Sequence, residues 1–181
     1  MATFIALLRG VNVGGHKRVP MVSLRETLHR AGYTNVVTYI QSGNVVFDAD
    51  ENGPDALAKS IEAALTSKFG FDVPVIVRTC DELAAAASVN PYVGVVDDAQ
   101  IGIALLKRVP TIDDPIDPAV HRPDEFTLVG REVHLHCPNG FGRTKLTNAY
   151  LEDALGVVAT TRNVRTVRKL LGLSDRRKSA E

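Results

Sequence analysis

The apolar run Ile5-Ala6-Leu7-Leu8-Arg9 recurs as Ile103-Ala104-Leu105-Leu106-Lys107, and each copy opens a similar succession of elements. An internal repeat is the strongest constraint on this chain, because whatever one half folds into must also suit the other. Each run has strand length and is apolar at successive positions, the pattern of a strand buried on both faces. Such a strand belongs in the middle of a sheet. One helix layer covers one face only, so Phe4 to Leu8 and Ile101 to Leu106 call for a second cover, either the other repeat or a second subunit.

The elements of the first half follow from periodicity. Pro20 opens a helix to Ala31, with Leu24 and Leu28 on one stripe and Gly32 as its stop. Val36 to Ile40 and Val45 to Phe47 are strands joined through Gln41-Ser42-Gly43-Asn44, a hairpin signal. Pro54 opens a second helix carrying Leu57, Ile61, Leu65 and Phe69, which Gly70 closes before a strand from Val73 to Arg78. This order is the ferredoxin-like βαββαβ plan. Thr79 and Glu82 then form a capping box for an alanine-rich helix that ends at Asn90-Pro91, a natural linker.

In the second half, Glu125 to Val129 and Arg131 to Cys137 read as a hairpin about Gly130, matched to Gly43. Val164-Arg165-Thr166 is matched to Val77-Arg78-Thr79, and Leu170 to Leu83. Pro110, Pro115, Pro118 and Pro123 crowd the interval where the first helix of this repeat would lie, so that helix is expected to be shortened. The expected fold is α+β, a tandem duplication of ferredoxin-like units with mostly antiparallel sheets. The expected bounds are 1–79 for the first repeat, 80–100 for the linker, 101–173 for the second repeat with its C-terminal helix, and 174–181 for a flexible tail.

Composition narrows the partners. The 181 residues carry 21 basic and 21 acidic side chains, so no net charge draws the chain to nucleic acid and any basic site must be local. No apolar stretch approaches the roughly 20 residues that span a bilayer, which excludes a membrane helix. Met1 to Arg9 lacks the basic region and cleavage site of a signal peptide. Cys80 and Cys137 are far apart and lack metal-ligand spacing, which suits a reducing compartment. The expected location is the cytoplasm.

Three segments carry chemistry. Arg9-Gly10-Val11-Asn12-Val13-Gly14-Gly15-His16-Lys17-Arg18 is a glycine-rich loop that leaves a strand and enters a helix, the arrangement that lets backbone N–H groups approach an anion. It is not a Walker A loop, since His16 stands where that motif needs Lys, and it lacks the dinucleotide fingerprint. Asn139-Gly140-Phe141-Gly142-Arg143-Thr144-Lys145-Leu146-Thr147-Asn148 is a second glycine-flanked helix entry, with Thr144 as the expected N-cap. Arg143 and Lys145 would then oppose the helix dipole unless an anion lay between them. Thr160-Thr161-Arg162-Asn163-Val164-Arg165 supplies hydrogen-bonding side chains and two arginines. The candidate ligand residues are therefore Arg9, Gly10, Asn12, Gly14, Gly15, His16, Lys17, Arg143, Lys145, Asn148, Arg162 and Asn163. Arg9 and Gln41 are expected at opposite ends of the first unit.

Other chemistry is less well supported by the sequence. His134 and His136 share one strand face, away from Cys137, and read with His121 as surface histidines; no metal or cofactor is expected. Asp97-Asp98 and Asp113-Asp114 read as turn formers, and no catalytic motif is present. Phe4 and Phe47 do not make the aromatic platform of an RNA-recognition sheet.

Ala6-Leu-Leu-Arg-Gly-Val-Asn-Val-Gly-Gly15, Tyr39-Ile-Gln-Ser-Gly-Asn-Val-Val-Phe47, Asn139-Gly-Phe-Gly-Arg143, Thr147-Asn-Ala-Tyr150 and Ala159-Thr-Thr-Arg-Asn163 together resemble one bacterial family, domain of unknown function 1697. The resemblance runs from about Thr3 to Leu171 and implies no reaction. The resemblance implies that Arg9, Gly10, Asn12, Gly14, Gly15, Gln41, Ser42, Gly43 and Asn44 match its pattern, as do Asn148, Arg162 and Asn163. Val164 stands where the family often has Trp. The function these readings favour is binding of a phosphate-bearing small molecule or nucleic acid. The alternative is a regulatory or structural module that acts through homo-oligomerisation, with a homodimer as the simplest form.

Overall fold

In a computed structural model of the chain, the structure describes residues 1–50, 53–111 and 116–178. The fold is mixed α+β: two antiparallel four-stranded sheets and five α-helices among the described residues. The chain divides into two compact units, residues 1–84 with the chain from Lys169 onward, and residues 85–168.

The first unit runs β1 (Ala2–Leu8), α1 (Met21–Arg30), β2 (Thr34–Tyr39), β3 (Asn44–Ala49), α2 (Pro54–Phe69) and β4 (Val75–Thr79). Its strands lie in the order β2-β3-β1-β4, so the repeated apolar run occupies a central strand. Alternation along the pleat sends Phe4, Ala6 and Leu8 into a core with Val45, Phe47, Val75 and Val77, against Leu24 and Leu28 of α1 and Leu57, Ile61 and Leu65 of α2. Phe4 and Phe47 are thus core residues, with ring centroids 6.0 Å apart. The helices end where their stops predict: α2 starts on Pro54 and finishes at Gly70, whose φ is 77°.

After β4, α3 (Cys80–Ser88) starts from a complete capping box. Thr79 Oγ1 accepts from the Glu82 N–H at 3.1 Å, and Glu82 Oε2 accepts from the Thr79 N–H at 2.9 Å.

The second unit contains β5 (Ile101–Leu106), β6 (Glu125–Val129), β7 (Glu132–His136), α4 (Asn148–Leu155) and β8 (Ala159–Asn163), in the strand order β6-β7-β5-β8. Ala104, Leu106, Val133 and Leu135 pack with Leu151 and Leu155 of α4 in its core. Among the described residues between β5 and β6, the proline-rich interval yields only a 3-10 turn, Pro118–His121, and no counterpart of α1. Asp113, Asp114 and Pro115 lie outside the described residues. Helix α5 (Val164–Lys178) follows β8 without a break, so residues 174–178, expected in a tail, are helical. Val164 is its first residue and is buried, so in this chain the position packs.

Register corrects the residue matches between the halves. The Leu8 N–H donates to the Gly43 carbonyl and the Leu106 N–H to the Arg131 carbonyl, so Gly43 corresponds to Arg131 rather than Gly130. Arg78 pairs with Ile5 and Arg162 with Ile103, so the counterpart of Arg78 is Arg162 rather than Arg165, which lies in α5. Short sequence identities slipped here because β4 and β8 share a position in the sheet and little sequence.

In both units the second face of the central strand is buried too. Leu7 and Leu105 are each 0% exposed. The polar residues beside Ile103 are buried as well: His134 on β7 and Arg162 on β8 lie abreast of it, on the face away from the helix-side core. His134 was expected on the surface. Strand alternation places His134 on the face opposite Val133 and Leu135, and that face is covered rather than solvated.

Candidate functional site

The first candidate site lies at the end of β1 in the first unit. Because β1 and β3 run antiparallel, the last residues of β1 lie beside the first residues of β3, and Leu7 pairs with Asn44. The hairpin 40–43 therefore sits against the loop that leaves β1. The expectation that Arg9 and Gln41 lie at opposite ends is corrected on this ground.

Asn12 ties the two together. With φ of 57°, a conformation Asn tolerates, it donates Nδ2 to the carbonyls of Gln41 at 2.7 Å and Val19 at 2.9 Å, and its Oδ1 accepts from the Val19 N–H at 2.8 Å. Asn12 is thus a staple of the loop rather than an open ligand. Asn44, fully buried, does the same for the hairpin, donating to Tyr39 O at 3.0 Å and Ser42 Oγ at 2.9 Å. Ile40 is held at φ 50°, a costly conformation for a β-branched residue, of the kind that clusters at functional sites. The start of β4 completes the cluster, since the Arg9 N–H donates to Pro74 O and Lys17 Nζ to Asp72 O at 2.6 Å. Arg9 and Gly10 are half-buried, whereas Gly14, Gly15, His16, Lys17 and Arg18 are exposed.

Asn12→Ala is expected to lower stability by about 1–2 kcal/mol, from the lost staple and the strained φ. It should also raise hydrogen exchange in residues 10–19, with β5 to β8 unchanged, in a peptide-resolved exchange experiment.

The second candidate site lies in the other unit, around the start of β5. Phe141 covers Gly102 so closely that a Cβ there would meet its ring at 2.7 Å. Gln100 Nε2 donates to Pro138 O at 3.0 Å, and Thr161 Oγ1 donates to Asn148 Oδ1 at 2.7 Å. The segments 139–143, 147–150 and 159–163 therefore meet. Helix α4 begins at Asn148 with Thr147 as its cap, through a 3.2 Å bond from the Tyr150 N–H. Thr144 instead accepts from the Leu146 N–H. Arg143 and Lys145 are thus exposed loop residues, and no helix dipole opposes them.

Arg162 was expected to present its charge, but it is only 7% exposed. Its Nη1 donates to Thr160 Oγ1 at 2.8 Å and Thr161 O at 2.9 Å, and burial lowers its pKa to about 10. Asn163 is likewise engaged, accepting from the Arg165 N–H at 2.7 Å. Asp97 caps a 3-10 turn and pairs with Arg165, while Asp98 pairs with Arg168. His121, read from sequence as a surface histidine, is instead buried, and its Nε2 lies 2.7 Å from the Tyr150 hydroxyl.

The family model for proteins of unknown function DUF1697 matches residues 1–134. This chain belongs to the DUF1697 family. The match takes in residues 1–84 of the first unit, with the 9–18 and 41–44 segments that meet there. Among solved structures, the chain is similar to the conserved bacterial protein SP0830 from Streptococcus pneumoniae, with a TM-score of 0.72 and 20% identity over 97% of this chain and 99% of that one. That likeness concerns the fold. No curated protein matches this DUF1697 member. Among its described residues no helix is long and apolar enough to cross a membrane.

Proposed function

We propose that this protein binds a phosphate-bearing ligand, a nucleotide or a nucleic acid end, at the loop cluster of the first unit. The observation that carries the reading is the meeting of segments 9–18, 40–44 and 72–74 around an exposed, glycine-rich loop that bears Arg9, His16, Lys17 and Arg18. Gly14 and Gly15 hold positive φ at its exposed tip, which the His16 N–H closes by donating to Val13 O at 3.1 Å, and the basic side chains beside it are potential charge-assisted donors. Arg162, Asn148 and Asn163 are engaged within their own unit, so they drop out of the proposed ligand set; Arg143 and Lys145 stay as a second, exposed basic pair.

The two sheets have matching strand orders and matching backbone bonds: Arg9 N–H to Pro74 O and Lys107 N–H to Val158 O, Val75 N–H to Glu62 and Ala159 N–H to Glu152. These support a tandem duplication of a ferredoxin-like unit, with α1 lost from the second copy and the linker in the region 80–100. The buried free thiols of Cys80 and Cys137 suit the cytoplasm.

The test is thermal unfolding against phosphate, pyrophosphate, nucleoside mono- to triphosphates and a 5′-phosphorylated oligonucleotide. A ligand that binds the native state raises the midpoint as its concentration grows. Arg18→Ala is expected to weaken binding about tenfold at unchanged stability, since a charge-assisted hydrogen bond contributes about 1.5–3 kcal/mol. A panel in which no phosphate compound raises the midpoint ends this reading.

A further inference from the structure

A sheet edge is an unfinished hydrogen-bonding row, and proteins that remain single copies block such edges. Three of the four edges here are blocked. Strand β2 is irregular between Thr34 and Val37, with Asn35 at φ 50°. Strands β4 and β8 are largely buried, and their first N–H groups donate to the side chains of Glu62 at 2.8 Å and Glu152 at 3.1 Å.

Strand β6 has no such device. It pairs with β7 in continuous register, and its sequence, Glu125-Phe126-Thr127-Leu128-Val129, contains no proline, lysine or positive φ. Its one charge, Glu125, is taken by His136 of its own sheet at 3.0 Å. With no α-helix among the described residues between β5 and β6, Leu128 on the helix-side face is 38% exposed, and Val129 on the opposite face is 41% exposed.

The two-residue turn Gly130-Arg131 closes the hairpin on the pair Val129 and Glu132, which makes that pair hydrogen-bonded. Alternation then directs the backbone groups of Glu125, Thr127 and Val129 toward β7 and those of Phe126 and Leu128 outward. Among the described residues, no backbone or side-chain group outside the ladder bonds to those outward groups.

We propose that two copies of this chain pair through β6, antiparallel and edge to edge, about a twofold axis at Thr127. In that register Phe126 exchanges N–H···O=C bonds with the partner's Leu128, and the reverse. Thr127 faces its own copy in a non-hydrogen-bonded pair, and Glu125 faces an apolar Val129 rather than another carboxylate. The strand is self-complementary in shape, in hydrogen bonding and in charge, which is why a second copy is the occupant assigned. A single five-residue strand makes a small interface, so the association is a weak one that responds to concentration.

Sedimentation velocity of the full chain from about 10 μM to about 1 mM tests this directly. The wild type should shift from monomer to dimer over the series. Leu128→Pro, which deletes an outward N–H and leaves the inner ladder intact, should weaken dimerisation at least tenfold with an unchanged far-UV spectrum. Thr127→Cys should form a disulfide-linked dimer on mild oxidation with diamide, because opposed residues of such a pair are within disulfide reach, whereas Val129→Cys should not. A wild type that stays monomeric throughout overturns the proposal. So does a dimer that survives Leu128→Pro, or one that cross-links as well through Val129→Cys.

Discussion

Gly43→Ala is expected to lower the stability of this protein by about 2–4 kcal/mol, a fall in melting temperature of about 4 °C or more. Two effects add. Gly43 has φ of 76°, where a Cβ costs about 1 kcal/mol. Its Cβ would also lie 2.7 Å from Leu8 Cβ and 2.8 Å from Val11 Cγ2, both buried. Leu8 Cβ sits on a central strand whose N–H is bonded to the carbonyl of Gly43 itself, so neither partner can retreat without breaking that bond. Overpacking of this kind typically costs about 1–3 kcal/mol. Gly10→Ala is the control, because Gly10 has a similar φ of 69° and nothing within 4 Å of its Cβ. Only the backbone effect of about 1 kcal/mol should remain there. Urea unfolding of both variants checks the contrast, and equal losses would show that the close approach of hairpin and strand does not matter. If the loop cluster holds the ligand, Gly43→Ala should also impair binding, since the hairpin cannot reseat against Val11.

The opposite sign is expected at His134. Its side chain is 0% exposed and neither ring nitrogen has a hydrogen-bond partner. One donor and one acceptor are thus desolvated without return, each costing about 1–3 kcal/mol. His134→Leu, of similar size beside Ile103, is expected to stabilise the protein by about 2 kcal/mol. Burial also pushes the imidazole pKa below its ordinary 6.5. The unfolded chain then binds a proton that the folded chain refuses, so stability should fall as pH drops below about 6.5 until the lowered folded value is passed. His134→Leu removes that contribution and should flatten the stability curve between neutral and mildly acidic pH. Chemical denaturation of both proteins across that range measures it. A variant that is less stable than wild type at neutral pH would show that His134 has a partner in solution.

The strand and helix elements were legible because their signals are local. Leu57, Ile61 and Leu65 repeat at helical spacing between Pro54 and Gly70, and the observed helix uses each of them. Thr79 and Glu82 announced a capping box, and both of its hydrogen bonds form. The helix entry near Arg143 was misread for a related reason: Thr144 and Thr147 are both competent caps, and only the packing of Leu151 and Leu155 against the second sheet selects Thr147.

The glycine-rich loop, the hairpin motif and the central position of the repeated strands could all be read from residue order, because each depends on the conformational preferences and periodicity of consecutive residues. Which of them meet could not. The contact of Asn12 with Gln41, the approach of Gly43 to Leu8, and the row of Arg162, Ile103 and His134 all depend on strand register. Register is set by which face of each strand finds apolar cover across distant parts of the chain, and no local preference encodes it. The same holds for charge. In sequence Arg162 and Lys17 are alike as basic residues near glycine or threonine, but the first lies on a strand face that is buried and the second in an exposed loop, so only Lys17 reaches solvent freely.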